Sequence, residues 1–171
     1  MTFPNQIENR NFLSPVGFRF TLSKYKKVSF FCNSAKIPAI TLGTESQATY
    51  LKNIDVPGDI ISYNDLTVTF LVDENMENYL EIHNWITGLG FPETTEQYSD
   101  LITYDGVKDI NESFSDGTLH ILNSNYNTVR SVIFQDLYPT SLSSLEFSSG
   151  ETDIEYFTAQ ATFKYTVYTI Q

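Results

Sequence analysis

Phe157-Thr158-Ala159-Gln160-Ala161-Thr162-Phe163-Lys164-Tyr165-Thr166-Val167-Tyr168 places Phe157, Ala159, Ala161, Phe163, Tyr165 and Val167 on one face and the intervening, mostly polar residues on the other. Strict alternation of this kind is what a β-strand with one buried face requires, because successive side chains point to opposite sides of the sheet. About thirteen residues at about 3.4 Å each span roughly 40 Å, against the usual strand of about five or six residues. A strand that long either crosses between two sheets or carries a sheet beyond its own domain.

The same alternation recurs upstream. Leu66-Thr67-Val68-Thr69-Phe70-Leu71-Val72 predicts a core strand with Leu66, Val68, Phe70 and Val72 inward. Val16 to Leu22 and Val28 to Cys32 predict a hairpin around a basic tip formed by Lys24, Lys26 and Lys27. Thr118 to Asn123 and Val129 to Leu137 flank Ser124-Asn125-Tyr126-Asn127 as a second hairpin. Between these runs, Met76, Tyr79, Ile82, Ile86 and Leu89 recur at helical spacing after the acidic start Asp73-Glu74. One flanking helix is therefore expected over about 75–89, ended by Gly88, Gly90 and Pro92.

Two regions fit neither period. Asn33 to Pro38 breaks the strand pattern, and a long connection runs from there through Ala48 to Val56 to the turn pair Pro57-Gly58. Residues 38–60 are read as a protruding loop or β-arm. Residues 93–117 are polar and acidic, with Asp105-Gly106 and Asp116-Gly117 as turn signals, and are read as an irregular loop. The fold class is mainly β: a sandwich or barrel-like single domain spanning residues 1–171, with one flanking helix.

Composition narrows the function. The hydrophobic fraction is 41%, enough for a core, and the charged fraction is only 18%, which argues against disorder. No run approaches the length of a membrane helix, and the first residues lack the basic and apolar regions of a secretory leader, so a soluble chain without a secretory signal is expected. A single cysteine, Cys32 in an apolar run, excludes an intramolecular disulfide and is read as a buried, inert thiol. The net charge of -11 is uneven: residues 1–52 hold seven Lys/Arg and two acids, and residues 53–171 hold three Lys/Arg and 19 acids. Such a chain suits copies that meet positive end to negative end, and it lacks the basic surface that nucleic-acid binding needs.

Catalytic and cofactor patterns are absent. His83 and His120 fall in different elements with no metal-ligand spacing, and the glycine signatures of phosphate cradles and hydrolase elbows do not occur. The stretch from Asp73 resembles the opening of a calcium loop but has Asn78 where glycine is needed and Asn84 where glutamate is needed. Asp55, Asp59 and Asp65 supply carboxylates without a spacing that distinguishes a glycosidase pair from chance. No cofactor, no metal and no enzymatic activity are expected.

A set of segments in fixed order carries a resemblance. Phe18-Arg19-Phe20 is followed by Phe30-Phe31-Cys32 and Ala35-Lys36-Ile37-Pro38, then by Ile54-Asp55-Val56-Pro57-Gly58-Asp59 and the Leu66 to Phe70 strand. The helix containing Trp85, Leu137-Tyr138-Pro139-Thr140 and the Phe157 to Tyr165 ending complete it. In this order the chain resembles the tail tube proteins of contractile-tailed (myovirus) bacteriophages. It departs from them at Tyr138, where tryptophan is common, and in its acidic 93–117 insertion.

The resemblance implies a virion protein that forms hexameric rings, joined between neighbours into one continuous β-barrel and stacked into a conduit for DNA and, before it, the tape-measure protein. Sheath and baseplate proteins are the implied partners. It further implies that Tyr50, Leu51, Lys52, Asp55, Pro57, Gly58 and Asp59 form the contact between rings; separately, the uneven charge points to Lys24, Lys26 and Lys27 as a charge-complementary contact. The alternatives are a baseplate tube-initiator or cap paralogue, a ring protein of a type VI secretion or other contractile injection system, and a carbohydrate-binding β-sandwich. Exposed coplanar aromatics would mark the last of these.

Overall fold

The computed structural model describes residues 13–25, 32–90, 93–104, 107–148 and 156–171. Eleven strands run through it: β1 Phe18–Leu22, β2 Cys32–Lys36, β3 Ile40–Gln47, β4 Ile54–Tyr63, β5 Leu66–Leu71, β6 Thr103–Tyr104, β7 Val107–Lys108, β8 Ser115–Leu122, β9 Thr128–Leu142, β10 Thr158–Lys164 and β11 Val167–Ile170. Two α-helices, α1 Glu77–Gly90 and α2 Thr95–Ile102, lie between β5 and β6.

Seven strands form one sheet: six follow the order β1-β8-β9-β10-β5-β2, and β11 pairs with β9 beside that path. The path is a pair of half-sheets that share β9. Its first part pairs with β8 and β11, and its last part pairs with β10. The long terminal alternation is the partner of that crossing: it breaks at Tyr165-Thr166 into β10 and β11, both antiparallel to β9, with Lys164 opposite Tyr138 and Val167 opposite Gln135. Of the two roles open to so long a strand, the structure shows the sheet-to-sheet crossing.

The bend has a local cause. Between the pairs Gly117↔Phe134 and Ser115↔Leu137, β9 carries two residues against one on β8. This is a β-bulge, which bends a strand and increases its twist. Asp136 absorbs it at φ 54, and its backbone N–H donates to Asp116 Oδ1 at 3.4 Å. Gly117 sits opposite the bend, where a Cβ would lie 3.1 Å from Leu137 Cδ1, so a larger residue would need that side chain to shift. A second irregularity lies between Thr162 and Phe163, beside Pro139, where a missing N–H is tolerated because the ladder is already broken.

Inward residues of both halves form one core. Leu66, Val68 and Phe70 of β5, and Ala159, Ala161 and Phe163 of β10, are buried as their alternation predicts, together with Phe20, Val132, Phe134, Ile82 and Trp85. Trp85 spans the core and still meets its one polar demand, donating from Nε1 to Ser113 O at 2.9 Å. The hairpin of β8 and β9 forms as expected, its turn held by Asn123 Oδ1 accepting from the N–H groups of Asn125 and Asn127.

Several expectations are corrected. Of the hairpin expected from Val16 to Cys32, the tip and residues 28–31 lie outside the described residues; among those described, β1 pairs with β8 and β2 pairs with β5. Phe20 and Leu22 of β1 are buried, as is Leu119 of its partner β8. Lys26 and Lys27 lie outside the described residues. The single predicted helix is α1, displaced by a residue or two, but it has a neighbour in α2. Gly88 does not end α1; it is buried inside it, where a Cβ would meet Leu101 of α2 at 3.3 Å.

Residues 93–117 are not irregular throughout, for α2, a 3-10 turn at Ile110–Ser113 and the start of β8 fall within them. The apolar side chains Leu101 and Ile102, sparse in an acidic stretch, dock this segment on the core side of α1.

Candidate functional site

The region 38–60 is a β-arm. β3 and β4 form a separate two-stranded antiparallel ribbon, and every residue of β3 is exposed. The sequence placed its turn at Pro57-Gly58, but the chain reverses at 48–53, between the pair Gln47↔Ile54. Thr49 Oγ1 donates to Lys52 O, and Lys52 N–H donates back to Thr49 Oγ1 at 3.3 Å. Tyr50 and Leu51 stand at that tip, 101% and 93% exposed.

Pro57 and Gly58 do a different job, inside β4. Pro57 opposes Thr44 at the edge of a register shift, and among the described residues β4 pairs only with β3, so its missing donor breaks no second ladder there. Between Leu42↔Ile61 and Thr44↔Pro57, β4 holds Gly58, Asp59 and Ile60 against Gly43 alone. The strands cross closely there: a Cβ on Gly58 would sit 2.8 Å from Gly43 O. The glycines permit this close approach at a bulge of three residues against one, an irregularity of the kind that bends a strand.

The arm is bolted to the body by aromatic rings that the sequence reading did not single out. Tyr63, at the root of β4, packs edge-on against Tyr165 at 6.1 Å and against Tyr168 at 5.6 Å. Tyr165 donates its hydroxyl to Asn64 O at 2.7 Å, and Tyr168 donates to Pro38 O at 3.0 Å, so the break between β10 and β11 grips both strands of the arm where they leave the body. Burial, then the neighbouring Tyr168, Asp65 and Tyr63, push the Tyr165 hydroxyl up from 10.0 to about 12. The signal in the sequence was the placement of two tyrosines astride the end of the alternation; their partners are about a hundred residues away and invisible to periodicity.

Of the residues expected at a contact between rings, Tyr50, Leu51 and Lys52 form the tip, and Asp55, Pro57, Gly58 and Asp59 lie along β4. They share one ribbon but not one point: Asp55 opposes Ser46 on the outer part, whereas Asp59 falls in the bulge. Lys24 belongs elsewhere, just beyond β1 at the other end of the strand order, its N–H donating to Ser115 Oγ at 3.2 Å. The arm's base carries Ile40, Leu42 and Ile61, each about half exposed, and the pairings Ile40↔Tyr63 and Leu42↔Ile61 put them on the face that Tyr63 shares.

Chemistry that needs titratable groups has little to work with. Burial pushes the Cys32 thiol up to about 11 against a weaker opposing backbone hydrogen bond with Ser34, which leaves almost no thiolate at neutral pH. His83 is exposed, while His120 Nδ1 lies 3.1 Å from Ser131 Oγ. Among the described residues no three His, Cys, Asp or Glu side chains gather as metal ligands. No described helix is long and apolar enough to cross a membrane.

Comparison with known proteins matches this architecture. A family model described as phage tail tube protein covers residues 1–171. The tail tube terminator protein of Enterobacteria phage T4 is 26% identical, over 98% of this chain and 90% of that protein. Among solved structures, the tube-terminating cap of the anti-feeding prophage superposes with a TM-score of 0.61 at 16% identity, covering 98% of this chain and 95% of that one. A chain of the sheath-tube complex of an extracellular contractile injection system gives 0.58 at 15% identity, covering 100% and 99%. A chain of the sheath/tube terminator of that kind of system gives 0.59 at 15% identity, covering 95% and 99%.

Proposed function

The chain belongs to the phage tail tube protein family, and from that premise we propose that it is a non-enzymatic structural subunit of a contractile-tailed virion, forming the ring that terminates the tail tube. The observation that carries the terminator assignment is the T4 relative, whose similarity runs the length of this chain. It moves the reading from the main tube subunit, which the order of motifs suggested, to the cap alternative.

The fold supplies what a ring subunit needs. The strand path is open, ended by β1 and β2, and strand edges of this kind seek partners. Six copies joined at such edges would close one continuous barrel, remove the edges, and leave a lumen through which DNA and the tape-measure protein pass without specific binding. An excess of acids suits that conduit, since it repels phosphate. The arm, with Tyr50, Leu51, Lys52, Asp55, Pro57, Gly58 and Asp59, contacts the neighbouring ring, and Lys24, Lys26 and Lys27 offer a positive patch to the acidic remainder of another copy. Sheath and baseplate-linked tail proteins are the further partners.

The main tube subunit is a second reading, favoured by a body that presents an arm at one end of β5. Electron microscopy of the purified chain separates the two. A terminator gives discrete rings at any concentration. Open-ended stacked tubes would reassign the chain to the main tube, and a persistent monomer would overturn both.

A further inference from the structure

Three strands of the second half-sheet, β2, β5 and β10, contain no Asp or Glu, in a chain with 21 acids against 10 Lys and Arg. Directly opposite residues share a face, so the register gives what these strands present together. Lys36 opposes Thr67, Thr67 opposes Thr162 and Thr162 opposes Ser141, a row that crosses four strands. Ser34 opposes Thr69 and Thr69 opposes Gln160, whose N–H donates to Ser143 Oγ at 2.9 Å, and this makes a second row. The residues between the rows on β5 and β10, Val68 and Ala161, are buried in the core, so both rows face away from it. Lys164 extends the face along β10. Four strands at about 4.8 Å spacing make it about 14 Å wide. Strand propensity accounts for the threonines but not for where the charge falls.

Ser34, Lys36, Gln160 and Lys164 are exposed, and among the described residues neither lysine has a carboxylate partner. The acids lie elsewhere. Asp65 precedes β5 and Asp73 follows it, and residues 73–102, which include both helices, hold seven acids and no Lys or Arg. α1 packs on the other side of β10, where its Trp85 meets the inward residue Phe163 at a ring distance of 6.2 Å. The body therefore carries negative charge on its helical side and offers hydroxyls, an amide and two ammonium groups on the opposite one.

We infer that this outward face of β2, β5 and β10 is a contact surface for the phosphate backbone of a DNA duplex, Lys36 and Lys164 meeting phosphates and the hydroxyl rows donating between them. The inference deepens the conduit reading and rests on it. It changes one part of that reading: the acid excess lies on the helical side, so a passing duplex meets weak attraction on this face. Contacts to phosphate carry no sequence information, and two cations per chain are too few to hold a duplex tightly. The contact is therefore sequence-independent and readily released, as passage requires.

The test uses the full chain and a short fluorescent DNA duplex of mixed sequence, with anisotropy followed across a salt series. Binding at low salt that falls at least about threefold for each doubling of salt is expected, the slope for two phosphate contacts on B-DNA. Lys36→Gln combined with Lys164→Gln should weaken it by at least about tenfold, and Gln160→Lys should tighten it and steepen the logarithmic salt slope by about 0.9. Arg130→Gln, an exposed cation on the first part of β9 and away from the face, should change nothing. Equal binding by the double lysine variant, no binding by the parent at low salt, or an equal loss in Arg130→Gln would overturn the surface. Weaker self-association of the double lysine variant in sedimentation, with DNA binding unchanged, would make the acidic helical side of a second copy the occupant and overturn it too. Electron microscopy of the same samples separates the two levels: parent rings that bind no duplex remove the surface alone, whereas a parent chain that forms no rings removes the conduit and the surface with it.

Discussion

The body and the arm are both built from strands, and they treat the same residue types in opposite ways. In the body, Phe20, Phe70, Phe134, Phe163 and Trp85 are 0% exposed. In the arm, Ile40 keeps 53% of its surface in contact with solvent, Leu42 48%, Ile60 70% and Ile61 52%. A two-stranded ribbon is marginal in water by itself, and this one is held by its tyrosine root. The difference teaches that the body buries its apolar side chains within its own strands, whereas the arm keeps its own at the surface. Contiguous exposed apolar surface on a structured element is the mark of an interaction site.

The comparison is most easily broken in the core. Phe134 touches both halves of the strand path through Tyr165 and Tyr168, at ring distances of 5.1 and 5.6 Å. Phe134→Ala should destabilise the isolated chain by about 3–5 kcal/mol in urea unfolding. Leu42→Ala on the arm should change the same transition by less than about 0.5 kcal/mol. Similar losses at the two positions would mean that the arm is part of the folding core.

A smaller effect is expected at the joint between the regions. Tyr165→Phe keeps the ring against Tyr63 but removes the hydroxyl that donates to Asn64 O, a loss of about 1 kcal/mol. Hydrogen exchange should quicken across β3 and β4 and stay unchanged across β8 and β9. The pH dependence follows from the raised hydroxyl, whose neutral form the fold favours. Its contribution is fully present below pH 10, the value of an unperturbed tyrosine, and is lost as pH rises toward about 12. The arm of the parent chain should therefore loosen over that alkaline window, and the Tyr165→Phe chain should lack this step. Unchanged arm exchange in the variant would show that the rings alone hold the joint.

These regions also mark the limit of what the sequence discloses. Faces were legible wherever burial is one-sided: Leu66, Val68 and Phe70, then Ala159, Ala161 and Phe163, are inward as alternation requires. Partners were not, because pairing depends on distant residues. β1 joins β8 across about a hundred residues. Nor is a bulge visible in a period-two pattern, so Asp136 and the crossing it permits were hidden, and Pro57-Gly58 was read as a turn when it is a register shift. The arm was legible as something a compact domain does not need. Its tyrosine root was not, since it is assembled from segments far apart in the chain.

The smallest expected effect on the isolated chain is the one that bears most directly on assembly. Leu42 and Ile61 oppose each other near the base of the arm, both about half exposed. Replacing both with serine removes apolar surface that is already largely in water, so the free chain should unfold within about 0.5 kcal/mol of the parent. If a neighbouring chain covers that pair, each buried methylene is worth about 0.8 kcal/mol at the contact, and the double variant should associate much more weakly. Sedimentation velocity against concentration reads that shift. Association as strong as that of the parent would mean that the base of the arm stays in solvent in the assembled ring and that any contact is confined to the tip at Tyr50 and Leu51.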